Sequence, residues 1–171
     1  SLASSKIDYH LVINSDINFE SKILTDIKKY MDIHQEAGMM VPKVLFPNGE
    51  IQYNCKLLPN PFTIILRFIL ASKNRRFIDY RYQLEKSGYD KIFSSPSVSG
   101  CFMFLRCKDI EKVGIFDERY FMYAEDVDLS RRMRKKKKIV FNPEFQIFHE
   151  FKGESHKKIR MFLFHVMSIV K

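Results

Sequence analysis

The chain has 171 residues, of which 46% are hydrophobic and 14% aromatic, a composition that fits one folded domain and excludes a disordered chain. Its net charge of +9 predicts an anionic partner: nucleic acid, a phosphate-bearing ligand or acidic lipid. Cys55, Cys101 and Cys107 form no C-x-x-C pair, which argues against disulfides and thiolate zinc and favours the cytoplasm. The longest apolar runs, over 62–71 and 161–170, fall short of the ~20 residues that span a bilayer.

The first half of the chain alternates strand and helix patterns. The β-rich run "YHLVI" predicts a strand, and apolar residues at helical spacing over 23–34 predict a helix that Gly38 ends. The runs "MMVPKVLF" and "IQYNCKLL" flank Asn48 and Gly49, a pair that supplies the positive φ angles of a tight hairpin turn. A helix over 62–71 and a helical segment over 73–89 follow.

The second half continues this alternation. Residues 94–99 are loop-like, and "GCFMFLR" predicts a strand that leads into a helix over 108–113, which Gly114 closes. Acids followed by bases predict a helix over 124–136. "KIVFNPE" predicts a short strand that Pro143 stops, "FQIFHEFKGES" a strand edge and loop, and 157–171 a basic amphipathic helix. We therefore expect one α/β domain over residues 1–171.

Acidic residues interrupt this pattern at two places. Asp16 follows the first strand, where it either bends a turn or lies at the carboxyl end of a strand in an open sheet, where ligands bind. Glu125, Asp126 and Asp128 crowd the first turn of one helix. They either stabilise the helix N-terminus by about 0.3–1 kcal/mol each, or repel one another until a cation, ligand or proton relieves them.

Five segments carry a resemblance to a known family: "INSDINF", "VPKVLFPNGEIQ", "SGCFMFLR", "VGIFDERYFMYAEDVDLSRRMRKK" and "IFHEFKGES". Their order and spacing over residues 7–171 resemble family 2 glycosyltransferases, especially rhamnosyltransferase-like members. The resemblance implies a GT-A fold, a Rossmann-like mixed α/β sheet of which this chain holds the C-terminal part only. Its nucleotide-binding N-terminal half has no counterpart before residue 7, so we expect the chain alone to transfer no sugar.

The resemblance also implies an activity, namely inverting transfer of a sugar from a nucleoside diphosphate donor to a glycan or lipid-linked acceptor, such as a growing surface polysaccharide. It makes Asp126 the general base, because a sugar hydroxyl attacks poorly until a positioned base takes its proton. Glu125 would orient acceptor hydroxyls. Asp128 would serve structure by pairing with Arg131 or Arg132 at helical spacing.

The resemblance assigns five further residues to metal and substrate. Asp16 and His149 would bind a divalent cation, Mg²⁺ or Mn²⁺, that stabilises the diphosphate leaving group, although His149 has the alternative of a hydrogen-bonded histidine at a strand edge. Asn14 replaces an aspartate that some relatives carry. Ser99 and Gly100 match a loop that passes close to the donor sugar, where glycine lets backbone approach a ligand.

The basic segments allow another class of function. The run "RRMRKKKK" over 131–138 lacks the interleaved aromatics of single-strand binders, so we expect no nucleic acid and either a solvated helix end or a membrane-facing surface. The predicted helix over 157–171 either packs in the core or binds anionic lipid, in which case the protein would lie on the inner face of the cell membrane. The alternative to an enzyme is thus a non-catalytic, membrane-associated interaction module. An open sheet edge left by the missing half would also favour a homodimer.

Overall fold

The computed structural model describes residues 7–58, 60, 70, 72–120 and 124–150. This part of the chain is a mixed α/β structure, as predicted, and a seven-stranded sheet lies at its centre. The sheet strands are β1 Tyr9–Ile13, β2 Ile17–Asn18, β3 Ala37–Leu45, β4 Ile51–Gln52, β6 Phe93–Ser94, β8 Phe102–Arg106 and β9 Lys138–His149, while β5 Cys55–Lys56 and β7 Ser97–Val98 pair separately. The helices are α1 Lys22–Ile33, α2 Ser72–Tyr82, α3 Cys107–Val113 and α4 Glu125–Arg134, with a 3-10 turn at Glu85–Ser87.

The strands lie in the order β1-β8-β3-β9-β2. β3 pairs in parallel with β9, whereas the other pairs of the described sheet are antiparallel. β4 pairs with the end of β3, and β6 pairs with the start of β9. A mixed sheet of this kind is compatible with a Rossmann-like fold, and the GT-A assignment stays an expectation. β1 lies at one edge of the described sheet, where pairing with a second copy stays a prediction.

Both faces of the sheet are covered, which explains why β3 is buried along most of its length. One face packs against α3 and α4, and the opposite face packs against α1. Neighbouring residues in β3 therefore face opposite cores, as Met39 and Met40 do. The first core includes Met39, Val41, Met103, Leu105, Ile110, Leu129, Met133, Ile139 and Phe141; the second includes Ile27, Met31, Met40, Val44, Phe102, Phe104, Val140 and Ile147.

Strand β9 does not stop at Pro143, and this prediction was wrong. The partner of Pro42 is Asn142, whereas the partner of the next residue, Lys43, is Gln146, so β9 bulges over 143–145 and then pairs again. A bulge tolerates proline because no ladder hydrogen bond needs its missing N–H. The strand consequently continues to His149.

The hairpin between β3 and β4 is confirmed, but its turn differs from the prediction. Gly49 has a φ of +84°, while Asn48 is not among the residues with positive φ. The Gly49 N–H donates to the Phe46 carbonyl at 2.8 Å, and the Phe46 N–H donates to the Glu50 carbonyl at 2.8 Å. The connection is thus a three-residue loop with a left-handed glycine rather than a two-residue turn. Its register pairs Val44 with Gln52.

The structure confirms some of the other predicted elements and differs from the prediction for others. The strand "YHLVI" and the helix that Gly114 closes at a φ of +80° are confirmed, and α4 ends near its predicted limit. The helical segment over 73–89 ends at Tyr82, and the loop over 94–99 contains residues of the short strands β6 and β7. The predicted helices over 62–71 and 157–171 lie outside the described residues, except for Leu70 in the first.

Gly38 does not end α1, which was the prediction, but lies inside β3. A Cβ atom there would lie 2.6 Å from Met133 Sδ and 2.7 Å from Lys137 Cβ, so only glycine lets the end of α4 approach the strand this closely. Gly38 resembles a helix terminator in the sequence, but tertiary packing is the reason that a glycine is needed there.

We predict that Gly38→Ala lowers the free energy of unfolding by about 1–3 kcal/mol, because an added methyl group overpacks this contact although alanine suits a strand better than glycine does. The measurement is urea denaturation followed by circular dichroism. Gly100→Ala is the matched control, since a Cβ there would lie at an ordinary 3.6 Å from its nearest neighbour, and it should change stability by less than about 0.5 kcal/mol. Equal effects of the two substitutions would contradict the packing argument.

Candidate functional site

The end of β9 brings Asp16 and His149 together, although 133 positions separate them. β2 pairs with β9 so that Ile17 lies opposite His149, and the Glu150 N–H donates to the Asp16 carbonyl at 3.0 Å. His149 Nε2 consequently lies 3.1 Å from Asp16 Oδ1. The His149 side chain is only 3% exposed, whereas that of Asp16 is 36% exposed. The pair thus has a buried imidazole behind a carboxylate that solvent can reach.

Gln52 approaches the same imidazole from the other side. Its Oε1 atom lies 2.8 Å from His149 Nδ1, and its position follows from the hairpin register that pairs Gln52 with Val44. Val44 in turn pairs with Ile147 of β9, two residues before His149. The ring therefore lies between an amide oxygen and a carboxylate oxygen that different strands supply.

The Asp16 carboxylate constrains the chemistry of the ring. A carboxylate oxygen only accepts hydrogen bonds, so either His149 Nε2 carries a proton that it donates to Asp16, or its lone pair faces a cation that it shares with the carboxylate. The contact of Nδ1 with the Gln52 side chain fits both arrangements, because a glutamine amide can accept or donate a hydrogen bond.

The separation of these atoms fits a shared metal ion. Neighbouring ligands of an octahedral cation, each about 2.1 Å from it, lie about 3 Å apart, which matches the 3.1 Å from His149 Nε2 to Asp16 Oδ1. One nitrogen beside one oxygen suits Mn²⁺ better than Mg²⁺, which prefers oxygen ligands alone. In the part of the chain that the structure describes, no three His, Cys, Asp or Glu side chains form a group that could hold a metal. The metal role of this pair stays a prediction.

Asp126 lies at the start of α4 and contacts the loop before β8. The Gly100 N–H donates to Asp126 Oδ2 at 3.1 Å, and the Val127 N–H donates to Oδ1 at 2.7 Å. The carboxylate is half-buried. Two backbone donors thus fix its orientation, and because a carboxylate offers about four acceptor positions, it can still accept a further hydrogen bond.

A buried serine, Ser130, holds the helix of Asp126 against the neighbouring strand. Its hydroxyl donates to the Asp126 carbonyl at 2.7 Å and accepts a hydrogen bond from the Val98 N–H at 3.3 Å. The next residue, Ser99, donates its N–H to the carbonyl of the buried Asn54 at 2.8 Å. The loop of Ser99 and Gly100 is therefore fixed on both sides.

Asn14 connects the two groups of residues. Its N–H donates to the Cys101 carbonyl at 3.0 Å, at the point where β1 pairs with β8. Asn14 lies two residues before Asp16, and Cys101 directly follows Gly100, which contacts Asp126. A backbone hydrogen bond thus joins the segment of Asp16 to the loop that contacts Asp126. Beside Asp126, Glu125 is half-buried and its Oε2 accepts a hydrogen bond from the Ala124 N–H at 2.9 Å.

Asp128 has the structural pairing that the sequence predicts, and its partner is Arg132. Arg132 Nε donates to Asp128 Oδ2 at 2.8 Å. The same guanidinium donates to the carbonyls of Val113, of Gly114 at 2.9 Å and of Ile115 at 2.7 Å. It thereby ties α4 to the loop after α3.

The two buried cysteines near the site are unreactive thiols. Burial raises the pKa of Cys101 to about 11 and that of Cys55 to about 12. Since the thiolate is the form that attacks substrates and binds metals, neither residue offers it near neutral pH.

Comparison with known proteins adds a family context. Protein-family models give no match to the chain. It is 27% identical over 147 residues to an N-acetylglucosaminyl-diphospho-decaprenol L-rhamnosyltransferase of Mycobacterium tuberculosis (strain H37Rv), covering 83% of the chain and 47% of that protein. It is 29% identical over 132 residues to the rhamnosyltransferase WbbL of Escherichia coli K12, covering 74% of the chain and 46% of that protein. The chain thus spans about half the length of the curated relatives that it matches, and this similarity supports a glycosyltransferase.

Sequence reasoning missed three residues that build the site: Gln52, Asn54 and Ser130. Gln52 stands in the segment "FPNGEIQ", which contributed to the family resemblance, yet the resemblance assigned it no role. Its signal was a polar side chain at the end of a short strand. Nothing local marks Asn54 or Ser130, because their partners come from strands and loops distant in sequence.

Proposed function

We propose that this chain carries the catalytic residues of an inverting, metal-dependent glycosyltransferase with a GT-A fold. It would move a sugar from a nucleoside diphosphate donor to a glycan or lipid-linked saccharide acceptor. The observation that carries the proposal is the meeting of Asp16 with His149 at 3.1 Å, on a segment that a backbone hydrogen bond from Asn14 joins to the loop that contacts Asp126. The similarity to two rhamnosyltransferases supports rhamnose as the transferred sugar.

Asp126 is the general base of this proposal. Its two backbone hydrogen bonds hold the carboxylate in place and leave it able to accept a hydroxyl proton from the acceptor. As that proton moves to Asp126, the acceptor oxygen forms a bond to the anomeric carbon. The bond from this carbon to the diphosphate oxygen breaks, and the diphosphate leaves with the electron pair. Attack from the face opposite the diphosphate inverts the configuration.

Asp16 and His149 would hold the cation, Mn²⁺ or Mg²⁺. When bound, it would neutralise the charge that develops on the diphosphate leaving group. The imidazole is buried and Asp16 is the more exposed of the two, so Asp16 is the one that a ligand from solvent would meet first. Asn14, Ser99 and Gly100 would contact the donor.

Glu125 would orient acceptor hydroxyls from its position beside Asp126, at the start of the same helix. Because Glu125 directly precedes the base, it places a second carboxylate at the helix N-terminus, where backbone N–H groups already favour negative charge. A lipid-linked acceptor fits the M. tuberculosis relative, whose name specifies transfer to a diphospho-decaprenol saccharide.

A lipid-linked acceptor would also bring the protein to a membrane, from the cytoplasmic side. None of the helices in the described ranges is both long and apolar enough to span a membrane. The end of α4 and the residues after it present exposed basic side chains, namely Arg131, Arg134, Lys135, Lys136 and Lys138. These cations would attract an anionic lipid surface.

Asp126→Asn tests the proposed base. We expect kcat to fall at least ~100-fold, because the amide cannot take the hydroxyl proton, while the fold is unchanged. Transfer is measured in the longest natural polypeptide that contains these 171 residues, with a nucleoside diphosphate rhamnose and an N-acetylglucosaminyl-diphospho-polyprenol. The control is Asp128→Asn, which breaks the ion pair with Arg132. It should lower the free energy of unfolding and change kcat far less than Asp126→Asn does.

Near wild-type transfer by Asp126→Asn would remove this residue from the mechanism. If the unsubstituted protein transfers no sugar from any nucleoside diphosphate donor, the enzyme proposal itself fails and a non-catalytic interaction module becomes the better account.

The double substitution Lys135→Gln with Lys136→Gln tests the membrane surface. We expect it to weaken binding to phosphatidylglycerol vesicles at least about tenfold at low salt, with no binding to phosphatidylcholine vesicles in either protein. Cosedimentation provides the measurement. Lys91→Gln with Lys112→Gln removes the same charge from other exposed positions and should have a smaller effect. Equal losses in the two double variants would show that net charge alone attracts the protein.

A further inference from the structure

We propose that Ser130 is a positioning residue, which sets the register of α4 against the segment 97–100 and thereby holds Asp126 opposite Gly100. The inference rests on the proposed function, because it explains how the chain keeps the proposed base beside the loop that would contact the donor. Its evidence is one buried hydroxyl that donates to the Asp126 carbonyl at 2.7 Å and accepts a hydrogen bond from the Val98 N–H at 3.3 Å.

The N–H groups of the segment 97–100 face two different neighbours in turn. On one side β7 pairs with β5, and the Ser99 N–H donates to the Asn54 carbonyl at 2.8 Å. The N–H groups of successive residues in an extended chain point to opposite sides, so those of Val98 and Gly100 face away from β5. This second side would be an open strand edge if nothing accepted their hydrogen bonds.

Two side chains of α4 accept these hydrogen bonds in place of a further strand. Ser130 Oγ accepts from the Val98 N–H, and Asp126 Oδ2 accepts from the Gly100 N–H at 3.1 Å. The serine and the carboxylate are thus equivalent in one respect, since each fixes α4 to one N–H of the same strand edge. The proposed base is one of the two fixed points, and Ser130 is the other.

The spacing of the two acceptors on the helix matches the spacing of the two donors on the strand. Ser130 follows Asp126 by four residues, which is a rise of about 6 Å along an α-helix. Gly100 follows Val98 by two residues, which is about 6.6 Å along a strand. One position of the helix along the strand therefore satisfies both contacts, and a helix that loses the Ser130 contact is free to carry Asp126 away from Gly100.

A serine inside a helix often donates to the carbonyl four residues before it, and that bond alone would hold nothing outside the helix. Ser130 differs because the same oxygen atom also accepts the Val98 N–H. Both Ser130 and Val98 are buried, so water has little access to replace the hydroxyl if it is removed. The hydroxyl is thus a joint between the first turn of α4 and β7.

The segment 97–100 is itself fixed to the central sheet. Asn54, which accepts the Ser99 N–H, donates its side-chain amide to the Pro42 carbonyl of β3 at 3.1 Å, and Asn54 is buried. The position of β3 is in this way passed to the loop of Ser99 and Gly100. Ser130 then passes it from the loop to the helix that carries Asp126.

Ser130→Ala tests the inference in the longest natural polypeptide that contains the chain. Hydrogen–deuterium exchange resolved to single amides reports on Gly100, which Ser130 does not contact. We expect the Gly100 amide to exchange at least about tenfold faster, relative to the amides of β3, because Asp126 no longer stays opposite it. In the transfer assay kcat should fall about 10–100-fold, since displacement of a catalytic group by about 1 Å can cost about 100-fold in rate.

Three further variants separate positioning from general damage. Ser130→Thr keeps the hydroxyl, whereas Ser130→Val has nearly the same shape without it, so any overpacking is common to both. The threonine variant should retain slow Gly100 exchange, and the valine variant should behave as alanine does. Ser97→Ala removes a buried hydroxyl of β7 that has no hydrogen-bond partner among the described residues, and it should alter neither readout.

Unchanged Gly100 exchange in Ser130→Ala, or equal exchange in the threonine and valine variants, would overturn the proposal. A rise of the same size at Gly100 and throughout β3 would also overturn it, because Ser130 would then only stabilise the fold. The exchange readout does not require sugar transfer. A protein that shows the expected exchange but transfers no sugar would therefore refute the proposed function alone.

Discussion

The parallel pairing of β3 with β9 is the contact on which the rest of the described site depends. It joins two segments about 100 positions apart, and its register shifts twice: between Ala37 and Met39, and between Pro42, which faces Asn142, and Lys43, which faces Gln146. Without the second shift, β9 would end near Pro143, as its local sequence suggests. Because the strand resumes, His149 lies beside β2, which positions Asp16. It also contacts Gln52 of β4, the strand that pairs with the end of β3.

The same sheet also sets the second half of the site. β8 pairs with both β1 and β3, so the loop before it lies beside the end of β1. Gly100 in that loop contacts Asp126, and Ser130 ties the helix of Asp126 to Val98. Two groups of polar side chains from five separate segments are in this way positioned by strand pairing and by hydrogen bonds to the backbone. Such bonds change little when surface side chains vary, which suits residues that must keep a fixed geometry.

Local patterns predicted the elements whose signals are local. The apolar run of β1, the glycine that closes α3 and the acid-to-base order of α4 each follow from short-range physical rules, and the structure agrees with them. The candidate residues Asp16, His149 and Asp126 came from family resemblance rather than from periodicity. The structure brings Asp16 and His149 together and joins the segment of Asp16 by a backbone hydrogen bond to the loop that contacts Asp126, while the chemical roles of these residues remain proposals.

Other features depended on contacts that no local pattern carries. Gly38 has the signature of a helix terminator, but the close approach of Met133 and Lys137 requires it. Pro143 has the signature of a strand end, but pairing on both sides of the bulge outweighs that preference. Gln52 and Ser130 acquire partners only when distant strands meet. At Gly38 and Pro143, tertiary packing and strand pairing therefore determine a structure that local propensity predicted wrongly.

Crystals grown with Mn²⁺ and a nucleoside diphosphate, with diffraction recorded near the manganese absorption edge, would show whether Asp16 and His149 share a cation. We expect an anomalous peak about 2 Å from both an Asp16 carboxylate oxygen and His149 Nε2, with diphosphate oxygens on the same ion. Manganese and diphosphate bound elsewhere, with the direct contact between Asp16 and His149 intact, would contradict it.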